Sequence, residues 1–285
     1  MQQHVTLPVA PLLAPYVSSL QGYHLLGFLA GAYVGMPSRD LTLVISLGEP
    51  MAISVPGRGQ ICLATVVGGL HDRPVLIHHQ GRQHGIQVAL TPAGARALLG
   101  TPAGALAGLV VGFDDLVGSQ SRVLQEQVAE TETWAGRLSL VEAALLARLA
   151  RGHSPSAWAV APELSEAWRV LGSCDGDVSV GAVARHVGWS PRHLTEQFGS
   201  EFGLRPKTAA RVMRFERSTR LVHPGARLAD VAATCGYADQ AHLTREWRTL
   251  AGVTPGRWPE SDVLANVQDR PGWSAARWRH DHTDD

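Results

Sequence analysis

Nine polar side chains between Arg192 and Arg248 have the types and spacing to read nucleic-acid base edges. In SVGAVARHVGWSPRHLTEQFGSEFG (Ser179 to Gly203) they are Arg192, His193, Thr195 and Glu196, with Gln197 beside them. In RLADVAATCGYADQAHLTREWRTLAGVTP (Arg227 to Pro255) they are Gln240, His242, Thr244, Arg245 and Arg248. Arg pairs with guanine and Gln with adenine. Glu accepts from cytosine or orients a neighbouring Arg, and Arg248 suits a phosphate. Apart from Arg248, each set falls early on the second helix of a helix-turn-helix pattern, the part that enters the major groove.

The flanking residues are those needed to hold such helices. Ser179 can cap a helix over Val180 to Val187, and Ala184 is small enough for the second helix to cross closely. Gly188 turns the chain, because glycine alone takes positive φ cheaply. Ser190 caps the second helix and Pro191 fits its first turn. Leu194, Phe198 and Phe202 then form one buried stripe, and Gly203 and Pro206 end the helix. The second motif repeats this logic. Leu228, Val231 and Ala232 face inward and Gly236 turns. Asp239 caps a helix over Gln240 to Leu250, whose core stripe is Leu243, Trp247 and Leu250. A helix from Lys207 to about Val222 joins the motifs. Its Arg211, Arg214, Arg217 and Arg220 make one basic face, which either pairs with acidic neighbours on a solvated connector or touches phosphates.

Upstream, from about Tyr16 to Leu90, β-branched runs are punctuated by Gly, Pro and Asp: Leu41–Leu47, Met51–Val55, Ile61–Val67, Pro74–His79 and Gly85–Leu90. This predicts a small antiparallel barrel or sandwich. Thr91, Pro92 and Gly100 bound a short helix. Helical periodicity from Ser121 to Leu149 predicts two more, broken at Gly136, that either pair two protomers or pack on the sheet. Arg151 to Glu163 reads as a linker. The fold class expected is α+β, a strand-rich domain with appended helices followed by an all-α domain. The expected divisions are 1–155 for sensing or dimerisation, 160–260 for DNA binding, and a polar tail, 261–285, with little order.

Net charge is zero over 285 residues, but it is unevenly placed. Ser165 to Glu260 holds 13 Arg and Lys against 10 Asp and Glu, whereas Met1 to Leu164 holds 9 against 10. Phosphate binding needs local rather than global charge. The three cysteines, Cys62, Cys174 and Cys235, are dispersed and none lies in a CxxC. They fit a reducing cytosol rather than a disulfide scaffold or zinc finger. Neither a signal peptide nor an apolar run of membrane length is present, so a cytoplasmic protein is expected.

Other chemistries fare worse. His78 and His79 point to opposite faces of a strand, so with His84 they make a poor metal set, and no metal or cofactor is expected. His71, Asp72 and Arg73 read as a polar turn rather than a pocket wall. Tyr23 and His24 read as a hydrogen-bonded core pair. No nucleophile elbow, phosphate loop or dinucleotide fingerprint occurs, and Cys174 and Cys235 lack the Pro-Cys-His context of methyl-accepting repair proteins. An enzyme is not expected.

The stretch CGYADQAHLTREWRTLAGVTPGRW resembles the signature of the AraC/XylS transcription regulators. It carries Gly236-Tyr237, Asp239-Gln240, Ala241-His242, Arg245-Glu246-Trp247 and Gly252-Val253-Thr254-Pro255. Ser190 to Leu194 and Phe202 to Pro206 resemble the first half. Tyr237 and Trp247 stand where Phe is usual, and Leu243 where an aromatic is common, which alters packing rather than chemistry. The segment from Gly22 to Gly100 is also similar to N-terminal domains of uncharacterised actinobacterial members. The resemblance implies a seven-helix DNA-binding domain whose two recognition helices enter successive major grooves on one DNA face. It also implies a cupin-like N-terminal barrel that senses a small molecule and dimerises. The implied partners are operator DNA, a small-molecule effector, RNA polymerase and a second copy of the chain, with no membrane. The alternative is an N-terminal domain that only dimerises or docks a protein. The effector-binding residues are left unassigned.

Overall fold

The computed structural model describes residues 2–27, 29–55, 57, 59–151 and 160–258. The middle of the expected linker (152–159) and the polar tail lie outside these residues. Among the described residues no helix is long and apolar enough to cross a membrane.

The strands pair antiparallel into two sheets. Six lie in the order β1 (Gln2–Leu7), β2 (Val17–Leu26), β9 (Arg82–Leu90), β4 (Leu41–Ser46), β7 (Thr65–Gly68) and β10 (Val110–Gly112). Four lie in the order β3 (Gly31–Gly35), β8 (Val75–His79), β5 (Met51–Val55) and β6 (Gly59–Leu63). The sheets share an apolar layer in which Tyr23, Val44 and Val66 of the first meet Tyr33, Ile53 and Ile77 of the second. Of the two expected forms, this is the sandwich. Alternation along β4 places Leu41, Leu43 and Ile45 on the opposite face from Val44.

Two expectations need correction. Ile61 to Val67 is not one strand. It bends at Ala64, so β6 pairs with β5 in one sheet and β7 with β4 in the other. A continuous β-branched run cannot show which sheet each half will join. The break between the long helices is not at Gly136 either. The chain turns at Thr131 to Thr133, and the Thr133 hydroxyl caps the new helix by accepting from the Gly136 amide at 3.2 Å. Strands β3, framed by glycines, and β10, three residues long, are created by their partners rather than by their own composition.

Helix α1 (Pro92–Gly94), capped by Thr91, runs into a π-helical turn (Ala95–Leu99) that ends at left-handed Gly100, φ 69°. Next come α2 (Ala103–Leu106), α3 (Phe113–Val117), α4 (Gln120–Glu130) and α5 (Trp134–Arg151). Leu124 and Val128 of α4, with Leu138, Val141 and Leu145 of α5, join Leu20, Leu43, Ile86 and Val88 of the six-stranded sheet in one core. The appended helices therefore pack on the sheet.

Helices α6 (Pro162–Ser173), α7 (Val180–His186), α8 (Pro191–Phe202), α9 (Pro206–Leu221), α10 (Leu228–Thr234) and α11 (Gln240–Ala251) complete the described chain. The core on the helix-covered face of the six-stranded sheet continues into the first of these through Leu98, Leu106, Leu171, Leu194, Phe198, Phe202 and Met213. A separate cluster around Phe215, Leu243, Trp247, Leu250 and Trp258 holds α10 and α11.

The junction with α8 is close. A Cβ on Gly104 would lie 2.5 Å from the Ser200 carbonyl oxygen, so α2 abuts α8 only because that position is glycine. Beside it, Arg96 Nε and Nη2 donate to the two carboxylate oxygens of Glu201 at 2.7 and 2.6 Å, with side chains 19% and 10% exposed. Such a fork is among the stronger ion-pair geometries. Removing one partner of a pair this buried strands the other. Glu201→Ala should thus destabilise the full chain by about 1–3 kcal/mol in urea unfolding. Replacing both partners with apolar residues, Arg96→Met with Glu201→Leu, should recover most of that loss. A Glu201→Ala transition identical to wild type would show that the pair adds nothing to the junction.

Candidate nucleic-acid interface

The two motifs share a glycine turn and a side-chain cap on the recognition helix, but Arg227 gives α10 no side-chain cap and the second turn is one residue longer. Ser179 Oγ accepts from the Ala182 amide and starts α7, which buries Val183 and Ala184. Gly188 (φ 74°) and Gly236 (φ 70°) turn the chain. The next amides, of Trp189 and Tyr237, return to the carbonyls of Ala184 and Ala232, both at 2.9 Å. Ser190 Oγ then accepts from the His193 amide at 3.2 Å, and Asp239 Oδ1 from the His242 amide at 2.6 Å. From there the recognition helices run in register. Leu194, Phe198 and Phe202 bury one face of α8, and Leu243, Trp247 and Leu250 bury that of α11. Gly203 and Gly252 end them in the same left-handed conformation. Trp247 Nε1 donates to Ser218 Oγ at 2.8 Å, which ties the second motif to the connector.

Three pairs of candidate side chains occupy equivalent positions, His193 with His242, Thr195 with Thr244 and Glu196 with Arg245, whereas Arg192 falls opposite Ala241 and Gln240 opposite Pro191. His193 and His242 both pack edge-on against the turn aromatic, Trp189 and Tyr237, with ring centroids 4.6 and 5.3 Å apart. Both threonine hydroxyls donate back to their own helix, Thr195 to the Pro191 carbonyl and Thr244 to that of Gln240. Their oxygens remain acceptors and their methyl groups are fixed in direction. Where α8 has Glu196, α11 has Arg245. Arg192 Nε donates to Glu196 at 2.9 Å, and both side chains are well exposed. On α11, Gln240, Arg245 and Arg248 are exposed, and neither arginine makes an ion pair among the described residues. The first face thus carries a compensated pair and the second carries free positive charge.

Sequence reasoning missed Arg205, which lines a groove on α8 with Arg192, Thr195 and Glu196. It lies beyond the helix end, where periodicity gives no signal. The connector arginines resolve toward internal pairing. Arg211 binds Glu246 at 2.8 Å, Arg214 reaches the Gly236 carbonyl and covers the Tyr237 ring, and Arg217 and Arg220 approach Asp175.

In the sandwich, Tyr23 faces the apolar layer and His24 the opposite face, so they are not a pair. His24 stacks on His84 at 4.3 Å. His84 accepts from Arg137 at 3.0 Å, and burial, then His24 and Arg137, hold its imidazole down at about 4. His78 bonds Ser54, while His71 bonds the Arg73 carbonyl and, against expectation, also forms part of a pocket wall. Among the described residues no three His, Cys, Asp or Glu side chains are grouped to hold a metal. Two cavities lie at the sandwich among the described residues. A mouth of about 540 Å³ is lined by His24, His78, His79, Arg82 and His84. A narrow space of about 80 Å³ is lined by Met36, Asp40, Val44, Ile53, His71 and Ile77.

Residues 183–261 match a helix-turn-helix domain family. This part of the chain carries a helix-turn-helix domain of the AraC type. The uncharacterized HTH-type transcriptional regulator YbfI of Bacillus subtilis is 28% identical over 67 residues, 24% of this chain and 24% of that protein. The match thus spans about a quarter of that relative. ToxT of Vibrio cholerae O395 superposes with a TM-score of 0.52 and 11% identity, over 87% of this chain and 99% of that one. The apo form of a single-substitution ToxT variant from strain SCE256 gives 0.53 at 8% identity, covering 85% and 97%. At such identities the fold is what is shared, a strand-rich N-terminal half followed by the AraC-type helices.

Asp40, in the narrow space, yields a pH prediction. Burial pushes its carboxyl up from 3.8 to about 7, against a Ser18 hydrogen bond that lowers it. The folded chain then keeps a proton that the unfolded chain releases, so this group removes stability as pH rises from about 4 to about 7. Asp40→Asn should be more stable than wild type by about 1–2 kcal/mol at pH 8, and the gain should vanish by about pH 4. Equal stabilisation at both values would rule out titration as the cause.

Proposed function

We propose that the chain is a sequence-specific transcription regulator whose α8 and α11 read base pairs in successive major grooves. The observation that carries this reading is the duplication of one cap, one turn and one exposed face on two helices joined by a single connector. Base contacts fall to Arg192, Thr195 and Glu196 on α8, and to Gln240, His242, Thr244 and Arg245 on α11. His193 completes the first face and Arg248 takes a phosphate. In this reading residues 160–260 are the DNA-binding part and 1–155 the sensing or dimerising part.

The finer reading is control by a small molecule held in the sandwich. Two features support it. The sandwich carries open cavities, and the narrow one is lined by Met36 and Asp40 on either side of Arg39, which bonds the end of α6, the loop after it and the connector α9. A solved form of ToxT, similar in fold (TM-score 0.50, 8% identity), holds an unsaturated fatty acid. The second reading is an N-terminal half that only pairs protomers or docks a protein such as RNA polymerase.

Selection from randomised duplex DNA at fixed, near-physiological salt should enrich two informative blocks about one helical turn apart. On that site Arg245→Ala should cost about 1–3 kcal/mol and relax the preference at one base pair, whereas Arg248→Ala should weaken all sequences alike and lower the salt slope by about 1. Equal losses on specific and random DNA for Arg245→Ala would make it a phosphate contact instead. No enrichment by the full chain or by its helical half would end the regulator reading. For the finer reading, a metabolite panel should contain a compound that raises the melting temperature saturably and shifts operator affinity. Stabilisation without an affinity change favours the second reading.

A further inference from the structure

Arg39 belongs to the sandwich, in the loop from Met36 to Asp40 between β3 and β4, yet its partners lie in the DNA-binding half. Its Nε donates to Glu216 Oε2 of α9 at 2.5 Å, its Nη1 to the Gly172 carbonyl at the end of α6 at 3.2 Å, and its Nη2 to Asp175 Oδ1 at 3.1 Å. The three side chains are 18–29% exposed. Asp175 is itself special. It takes positive φ (47°), uncommon for a residue with a side chain, and also draws Arg217 and Arg220. Gly176 follows at φ 74°, pressed on the Ala210 carbonyl. Asp177 then lies so near Gly236 that a Cβ there would fall 2.7 Å from its carboxyl group. Gly236 is the turn of the second motif. One guanidinium therefore clamps the loop that enters the first motif to the middle of the connector, and that loop abuts the turn that aims α11.

We infer that Arg39 is a positioning residue for DNA reading: it fixes the rotation of the second motif relative to the first, and so sets the spacing between the two base-pair blocks. Only a planar fork can hold two carboxylates and a carbonyl together. Lysine would keep the charge and lose the geometry. The inference rests on the reading that both α8 and α11 contact bases.

The test is selection from randomised duplex DNA with full-length wild type, Arg39→Ala, Arg39→Lys and Glu216→Gln, followed by affinity measurements on probes carrying one block or both. Wild type should select one spacing. Arg39→Ala should select the same two blocks over a broader range of spacings. It should bind the wild-type site about three- to tenfold more weakly, as when the second of two linked contacts loses its preset geometry, while single-block probes bind unchanged. Arg39→Lys and Glu216→Gln should show the same broadening in milder form, and they carry the test if Arg39→Ala fails to fold. An unchanged spacing distribution in the folded variants would overturn the inference, as would a parallel loss on single-block probes. If wild type selects no two-block site, the reading beneath the inference falls, and the inference with it.

Discussion

A recognition helix reads base edges reproducibly only when its other face is buried firmly enough to stop it rotating. That constraint organises this molecule. Leu194, Phe198 and Phe202 fill α8's buried face and Leu243, Trp247 and Leu250 that of α11, but the two are held by different material. The second is held mainly within the helical half, around Phe215 and Trp258, with Met36 of the sandwich packed against it. The first is completed by the N-terminal half, where the core between the six-stranded sheet and its covering helices runs without a break into α6, α7 and α8. The N-terminal half is thus a structural wall of the first motif.

Charge follows the same division. Four connector arginines and Arg39 are spent inside the molecule on Glu246, Glu216, Asp175 and the Gly236 carbonyl, where they fix one helix against another. Arg192 is balanced by Glu196. Uncompensated positive charge among the described residues of the recognition helices falls on α11, at Arg245 and Arg248. A chain of zero net charge can therefore present a cationic face, because ion pairing decides which arginines remain available.

The loop from Met36 to Asp40 sits where these themes meet. One side of it lines the narrow space between the sheets, and the other carries Arg39. Packed interiors respond to an added atom by moving a neighbour rather than by compressing. The position of that loop is thus tied to α6 and α9 through the bonds of Arg39.

What the sequence determined by itself was local. Ser190 and Asp239 as caps, Gly188 and Gly236 as turns, and the two core stripes were legible because cap chemistry, positive φ and the 3.6-residue period act within a few residues of each other. The error at Gly136 has the same origin in reverse: a glycine is tolerated inside α5 once Thr133 supplies the cap and packing holds the helix. Tertiary structure alone decided the rest. Ala64 divides one β-branched run between two sheets, Arg39 finds Glu216, and Arg96 finds Glu201 across more than a hundred residues of chain. Such pairings depend on which surfaces the fold brings together, and no short-range pattern encodes the partner of a lone arginine.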